Sequence, residues 1–145
     1  MHDYVCGMMQ FDFSDCLVLN TRMAARAVTR RADKMLRPFG ITAAQFNILG
    51  SFRAEGLSIT ALAESIAMER STLSRNLQLL ESKGLVAAGG AGRGHGRIYR
   101  LTPTGETLIA QVEPVWQASQ AELRQTLTDP DFATIIDALR QVARL

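Results

Sequence analysis

Five glycines fall within eight residues, Gly89-Gly-Ala-Gly-Arg-Gly-His-Gly96, and this stretch constrains the fold more than any other. It has no apolar anchor, and glycine has the most backbone freedom to lose on ordering, so it cannot pack into a core. Short β-prone runs flank it, Leu85-Val-Ala-Ala88 and Arg97-Ile-Tyr-Arg-Leu101. Two such runs around a glycine-rich connection read as a hairpin whose tip projects into solvent or onto a partner.

Two short helices precede the hairpin. Thr60 is the expected cap of one, with Leu62, Ala63, Ile66 and Ala67 at amphipathic spacing. A few residues later another runs from about Glu69 to Lys83, and Gly84 supplies the left-handed residue that ends it. Two short helices joined by a tight turn are what a helix-turn-helix requires. Leu57-Ser58-Ile59 just before them is short enough to be a single edge strand.

Further upstream, Phe13 to Phe39 reads as one long helix stopped by Pro38 and Gly40, with Leu17, Ala24, Val28, Met35 and Phe39 along one face. Arg22, Arg26 and Arg30 step along another face, which reads as solvated surface. Thr42-Ala-Ala-Gln45 is a capping box opening a helix with Phe46, Leu49 and Phe52 inward. Downstream, Thr102-Pro103 starts a long helix through Leu108, Val112, Val115, Leu123 and Leu127, in which Pro114 is expected to cause a bend. Asp129-Pro130 starts the last, with Phe132, Ile135, Ile136, Leu139 and Val142 on one side. At 145 residues the whole is expected to be one domain.

The second helix of the pair carries the candidate chemistry. Leu73, Leu77 and Leu80 share one face, and Ser71, Ser74, Arg75 and Gln78 gather opposite, with Arg70 and Thr72 near the N-terminal end. Small hydroxyls allow close approach to a groove floor; arginine pairs with a guanine edge and glutamine with adenine. The hairpin tip adds Arg93, His95 and Arg97, and arginine on a flexible tip suits a narrow minor groove. The net charge of +2 alone argues little. Its distribution argues more, since bases dominate between Thr60 and Leu101 and acids after Thr102.

Several classes of function are disfavoured. There is no nucleophile–base constellation, phosphate loop or spaced carboxylate pair, so no enzyme is expected. Cys6 and Cys16 do not make a disulfide framework, and with His2 and His95 they lack short-spaced metal ligands, so neither metal nor cofactor is expected. No apolar run reaches the ~20 residues of a membrane helix. Met1 to Gln10 does not read as a signal peptide, which makes a cytoplasmic location the expectation.

The succession helix, helix, strand, helix, helix, two-stranded wing, two helices resembles the MarR family of regulators. The resemblance is carried by Leu36-Arg-Pro-Phe-Gly-Ile-Thr-Ala-Ala-Gln-Phe46, Leu62-Ala-Glu-Ser-Ile66, Arg70-Ser-Thr-Leu-Ser-Arg75, Leu80-Glu-Ser-Lys-Gly-Leu-Val86 and Leu101-Thr-Pro-Thr-Gly105. It implies a mainly α, winged helix-turn-helix protein with N- and C-terminal dimerisation helices. Residues 42–101 would form the DNA-binding core, and 11–39 and 102–145 the dimerisation helices. It further implies a homodimeric repressor with Arg70 to Lys83 in the major groove of a palindromic operator. Release would follow from a small molecule, often a phenolic, or from an oxidant.

Two departures stand out. The family's wing carries an aspartate two residues before an arginine, whereas this chain offers Arg93-Gly-His95 or His95-Gly-Arg97. Ser14-Asp-Cys16-Leu-Val18, with Ala24 to Arg30, is similar to the hydroperoxide-sensing branch. That branch's reactive cysteine falls on Val18, and Cys16, two residues earlier, would point about 200° away on a helix. A thiol sensor acting through Cys16 stands beside the DNA-binding reading. So does a winged-helix module for protein contacts, against which the polar, arginine-bearing helix face argues.

Overall fold

The computed structural model describes residues 12–89 and 96–145, so Cys6 and the segment Met1 to Gln10 lie outside the described residues. The first long helix is shorter than its apolar pattern: α1 spans Leu17–Leu36 between 3-10 turns at Phe13–Asp15 and Arg37–Phe39. Cys16 interrupts it because its backbone is extended (φ −72°, ψ 115°). α2 (Ala43–Gly50) opens at the expected box, with Gln45 N donating to Thr42 Oγ1 and Thr42 N to Gln45 Oε1, both at 3.2 Å. Of the residues expected inward only Leu49 is buried; Phe46 and Phe52 are half-buried, and Ile48 takes their place in the core.

β1 (Leu57–Ser58) runs directly into α3 (Ile59–Ser65). Ser58 rather than Thr60 caps that helix, accepting from Ala61 N at 3.2 Å. Ser58 still has strand-like dihedrals (φ −71°, ψ 159°), which an N-cap needs, while Thr60 already lies inside the helix. Ala67 is in the left-handed region (φ 50°) within the turn to α4 (Arg70–Ser82). It therefore belongs to the turn and not to the amphipathic face of α3.

β2 (Val86–Gly89) and β3 (Ile98–Leu101) pair antiparallel from Val86↔Leu101 to Gly89↔Ile98, and β1 adds to the other edge of β3, giving the order β1-β3-β2. α5 (Pro103–Thr126) is capped by Thr102, which accepts from Gly105 N at 3.1 Å, and continues through Pro114 as one helix. α6 (Phe132–Val142) starts after Asp131, which accepts from Thr134 N at 2.8 Å, slightly later than the Asp129-Pro130 start read from the sequence.

The core gathers where these elements meet. Leu36 of α1, Ile48 and Leu49 of α2, Leu62 of α3, Val86 of β2 and Val112 of α5 are fully buried around Leu73, Leu77 and Leu80 of α4. That leucine face holds α4 against the body by apolar burial, so the opposite face is turned outward. α6 contributes no buried residue, and α1 contributes only Leu36.

Candidate nucleic-acid interface

With its leucines at 0–1% exposure, α4 has a fixed orientation. Arg70, Ser71, Arg75 and Gln78 are exposed and Thr72 and Ser74 half-buried, so all six residues singled out on this helix lie together on its outer side. Asn76 is committed to the helix itself, donating to Thr72 O at 3.0 Å. Glu69, the N-cap, makes no side-chain capping bond. Leu79, which sequence reasoning passed over, is 53% exposed one turn beyond Arg75. A lone leucine is not a protein-docking patch, and an apolar side chain there can meet a thymine methyl.

Arg97 is exposed immediately before β3. Arg93 and His95 lie outside the described residues. Arg100 on β3 is exposed, but its guanidinium donates to Glu55 O at 2.8 Å and ties the wing to the turn before β1. Lys83, at the end of α4, donates to Gly40 O at 2.6 Å and joins the outer helix to the end of α1. The wing and the recognition-type helix are thus braced through backbone carbonyls of neighbouring turns.

Cys16 is the free cysteine among the described residues, half-buried at the junction of the first 3-10 turn and α1. Its extended backbone removes the basis for placing it by helical angle relative to Val18, which is itself 67% exposed. Among the described residues no group of three or more His, Cys, Asp or Glu side chains could hold a metal ion. None of their helices is long and apolar enough to cross a membrane.

Behind the interface lies a cavity of about 560 Å³ between α2, the end of α3 and α5. Phe46, Ile66, Ile109 and Trp116 form its apolar walls, and Glu113 is its one charged lining residue. A smaller cavity of about 190 Å³ shares Phe46 and Trp116 and reaches Arg31 on α1. Arg31 is paired there with Glu122 of α5, Nη2 to Oε2 at 2.7 Å. Sequence reasoning saw Phe46 only as core and did not single out Trp116 or Glu113. The signal was thin: a lone tryptophan one helical turn after Val112.

A helix pair whose outer helix is polar and cationic, followed by a two-stranded wing, defines a winged helix-turn-helix protein. The family model described as "MarR family" matches residues 39–98. The crystal structure of the M. tuberculosis transcriptional regulator MosR is 31% identical, with 92% of this chain and 96% of that chain covered at a TM-score of 0.79. The DNA complex of MosR is 30% identical over 90% and 95% of the two chains, also at 0.79. A mutant E. coli MarR with operator DNA is 28% identical over 90% and 96%, at 0.77. The chain belongs to the MarR family, a family of transcriptional regulators and not of enzymes.

Proposed function

We propose that the protein is a homodimeric, sequence-specific transcriptional regulator that binds duplex DNA and acts as a repressor at a palindromic operator. The observation that carries this reading is the outer face of α4, where Arg70, Ser71, Thr72, Ser74, Arg75 and Gln78 stand together opposite a fully buried leucine face. Arg75 and Gln78 would read base edges, the hydroxyls would approach the groove floor, and Arg70 would meet phosphate. Arg97, with Arg93 and His95, would carry the wing's contact beside it. The solved DNA complexes of MosR and of E. coli MarR support the same use of this fold here.

The dimer is supported by what the single chain leaves uncovered. Leu17, Val18, Met23 and Val28 of α1 are each more than half exposed, and Leu139 of α6 is 48% exposed. Water-exposed apolar surface costs about 25 cal/mol per Å² relative to burial. Pairing the terminal helices, within 11–39 and 102–145, about a two-fold axis covers these side chains. It also sets the spacing of the two copies of α4, so that half-sites fall about one helical turn apart. Release by a small-molecule effector completes the reading. The domain plan is then one unit, 1–145, with the DNA-binding core in 42–101.

The test is to select and sequence duplexes bound by the purified full-length protein from a random pool. Enrichment of an inverted repeat, bound by two chains per site, is expected. A pool that stays unenriched with a folded protein would overturn the reading.

A further inference from the structure

We propose that the cavity between α2, α3 and α5 is an effector site for a lipophilic cation, an amine or quaternary ammonium on an aromatic or branched aliphatic body. This rests on the regulatory reading above and narrows it, because it assigns the effector's charge. Its volume of about 560 Å³ suits one small organic molecule. The walls are apolar, with two aromatic faces, Phe46 and Trp116. Asn47 and Ser51 add polar atoms at the α2 side.

The charge follows from the lining. Glu113 is the only ionisable side chain there, so an anionic phenolate or benzoate entering would meet a like charge and no cation. The nearest cationic candidate stands across the shared Phe46–Trp116 wall: Arg31 lines the neighbouring cavity and is held by Glu122 at 2.7 Å. An ammonium group, by contrast, gains Glu113 and the π-faces of Phe46 and Trp116, the combination that recognises organic cations. The phenolic effector class implied by the family resemblance therefore does not match this cavity's electrostatics.

Trp116 is the only tryptophan in the chain, so its emission reports on this cavity directly, without DNA. The full-length protein is titrated with para-tert-butylbenzylammonium and, separately, with para-tert-butylbenzoate, a pair alike in body and opposite in charge. The ammonium compound should perturb the emission saturably and the benzoate much more weakly. Glu113→Gln should weaken the ammonium compound about three- to fivefold, the range for a mostly exposed charge, and Glu113→Lys should reverse the preference. Equal binding of the two probes, tighter binding of the benzoate, unchanged affinity in Glu113→Gln, or no saturable signal (as when a second copy covers the groove) would each overturn the proposal. Operator release is measured in parallel by gel shift. Binding without release leaves the site standing and refutes its regulatory use, so the two readings fail separately.

Discussion

Replacing Gly105 by alanine sets two opposed effects against each other. Gly105 is the third residue of α5, and alanine in a helix is favoured over glycine by about 1 kcal/mol. On propensity alone the substitution would stabilise the protein. However, a Cβ built on Gly105 overlaps the Leu85 carbonyl oxygen, lies 3.1 Å from that carbonyl carbon and 3.3 Å from Leu101 Cδ2. The obstacle is backbone, not the end of a flexible side chain, and the same carbonyl accepts from Thr102 N at 3.1 Å. Relief therefore requires the start of α5 to move off the strand that follows α4. Overpacking costs typically about 1–3 kcal/mol, and a backbone obstacle belongs at the top of that range or above it. The net is a loss of about 2 kcal/mol or more, or about 6 °C in Tm for a domain of this size. Thermal unfolding of parent and variant at one protein concentration measures it, since a dimer's Tm depends on concentration. Gly50→Ala in α2 is the control: nothing lies within 4 Å of its Cβ, so it should be neutral or slightly stabilising. An unchanged or raised Tm for Gly105→Ala would refute the close-packing argument.

Arg75→Ala should leave the protein folded and reduce operator preference by about 1–3 kcal/mol, read by gel shift against a scrambled duplex. Replacing both Arg93 and Arg97 by alanine should weaken binding to all sequences alike and flatten the salt dependence by about one unit of slope for each phosphate no longer neutralised; an unchanged slope would show that the wing does not touch phosphate. The Asp131 carboxyl is held below its ordinary value of 3.8, chiefly by the hydrogen bond from the Thr134 amide. A depressed folded pKa means that its stabilisation is complete above 3.8 and lost as pH falls through the lower folded value; Asp131→Asn, which caps without titrating, should make stability less steep with pH in that acid range, as measured by denaturant midpoints. Deleting Asp129–Leu145 should give aggregation or unfolding in place of a stable monomer, and a well-folded monomer with full operator affinity in sedimentation would show that the interface lies elsewhere.

What the sequence made legible is local or periodic. Thr42 and Gln45 find each other because a capping box closes over three residues. The leucines of α4 are buried because a helix repeats its face every three to four residues. The polar face of α4 followed from that same rule, and Thr102-Pro103 marked the start of α5 by the cap and the fixed φ of proline. Choices between neighbours were less legible. Ser58 and Thr60 are both capping residues, and only the length of β1, set by its pairing with β3, decides between them. Contacts between distant segments were not legible at all. Arg31 and Glu122 carry no mutual signal in the chain, and the Phe46–Trp116 cavity exists only once α2 and α5 have met.

α5 is the element through which these features act on one another. Its first turn is pressed on the Leu85 carbonyl, directly after the glycine that ends α4, and the Thr102 hydroxyl donates to Gly84 O. Half-way along, Val112 is fully buried in the winged core. Its next turn lines the effector cavity with Glu113 and Trp116, and beyond that Glu122 holds Arg31 of α1. A helix anchored at its start to the end of α4 and further along to α1 cannot tilt at one place alone. A ligand that wedges α5 away from α2 must strain the Gly84–Gly105 junction or the Arg31–Glu122 contact. The latter is the softer, being a surface ion pair with side chains 43% and 65% exposed, worth at most about 1 kcal/mol. The steric junction at Gly105 yields less readily, so displacement at the cavity should pass preferentially into the packing of α5 on α1. In the proposed dimer that packing fixes the distance between the two recognition helices, and operator affinity follows the geometry of those terminal helices.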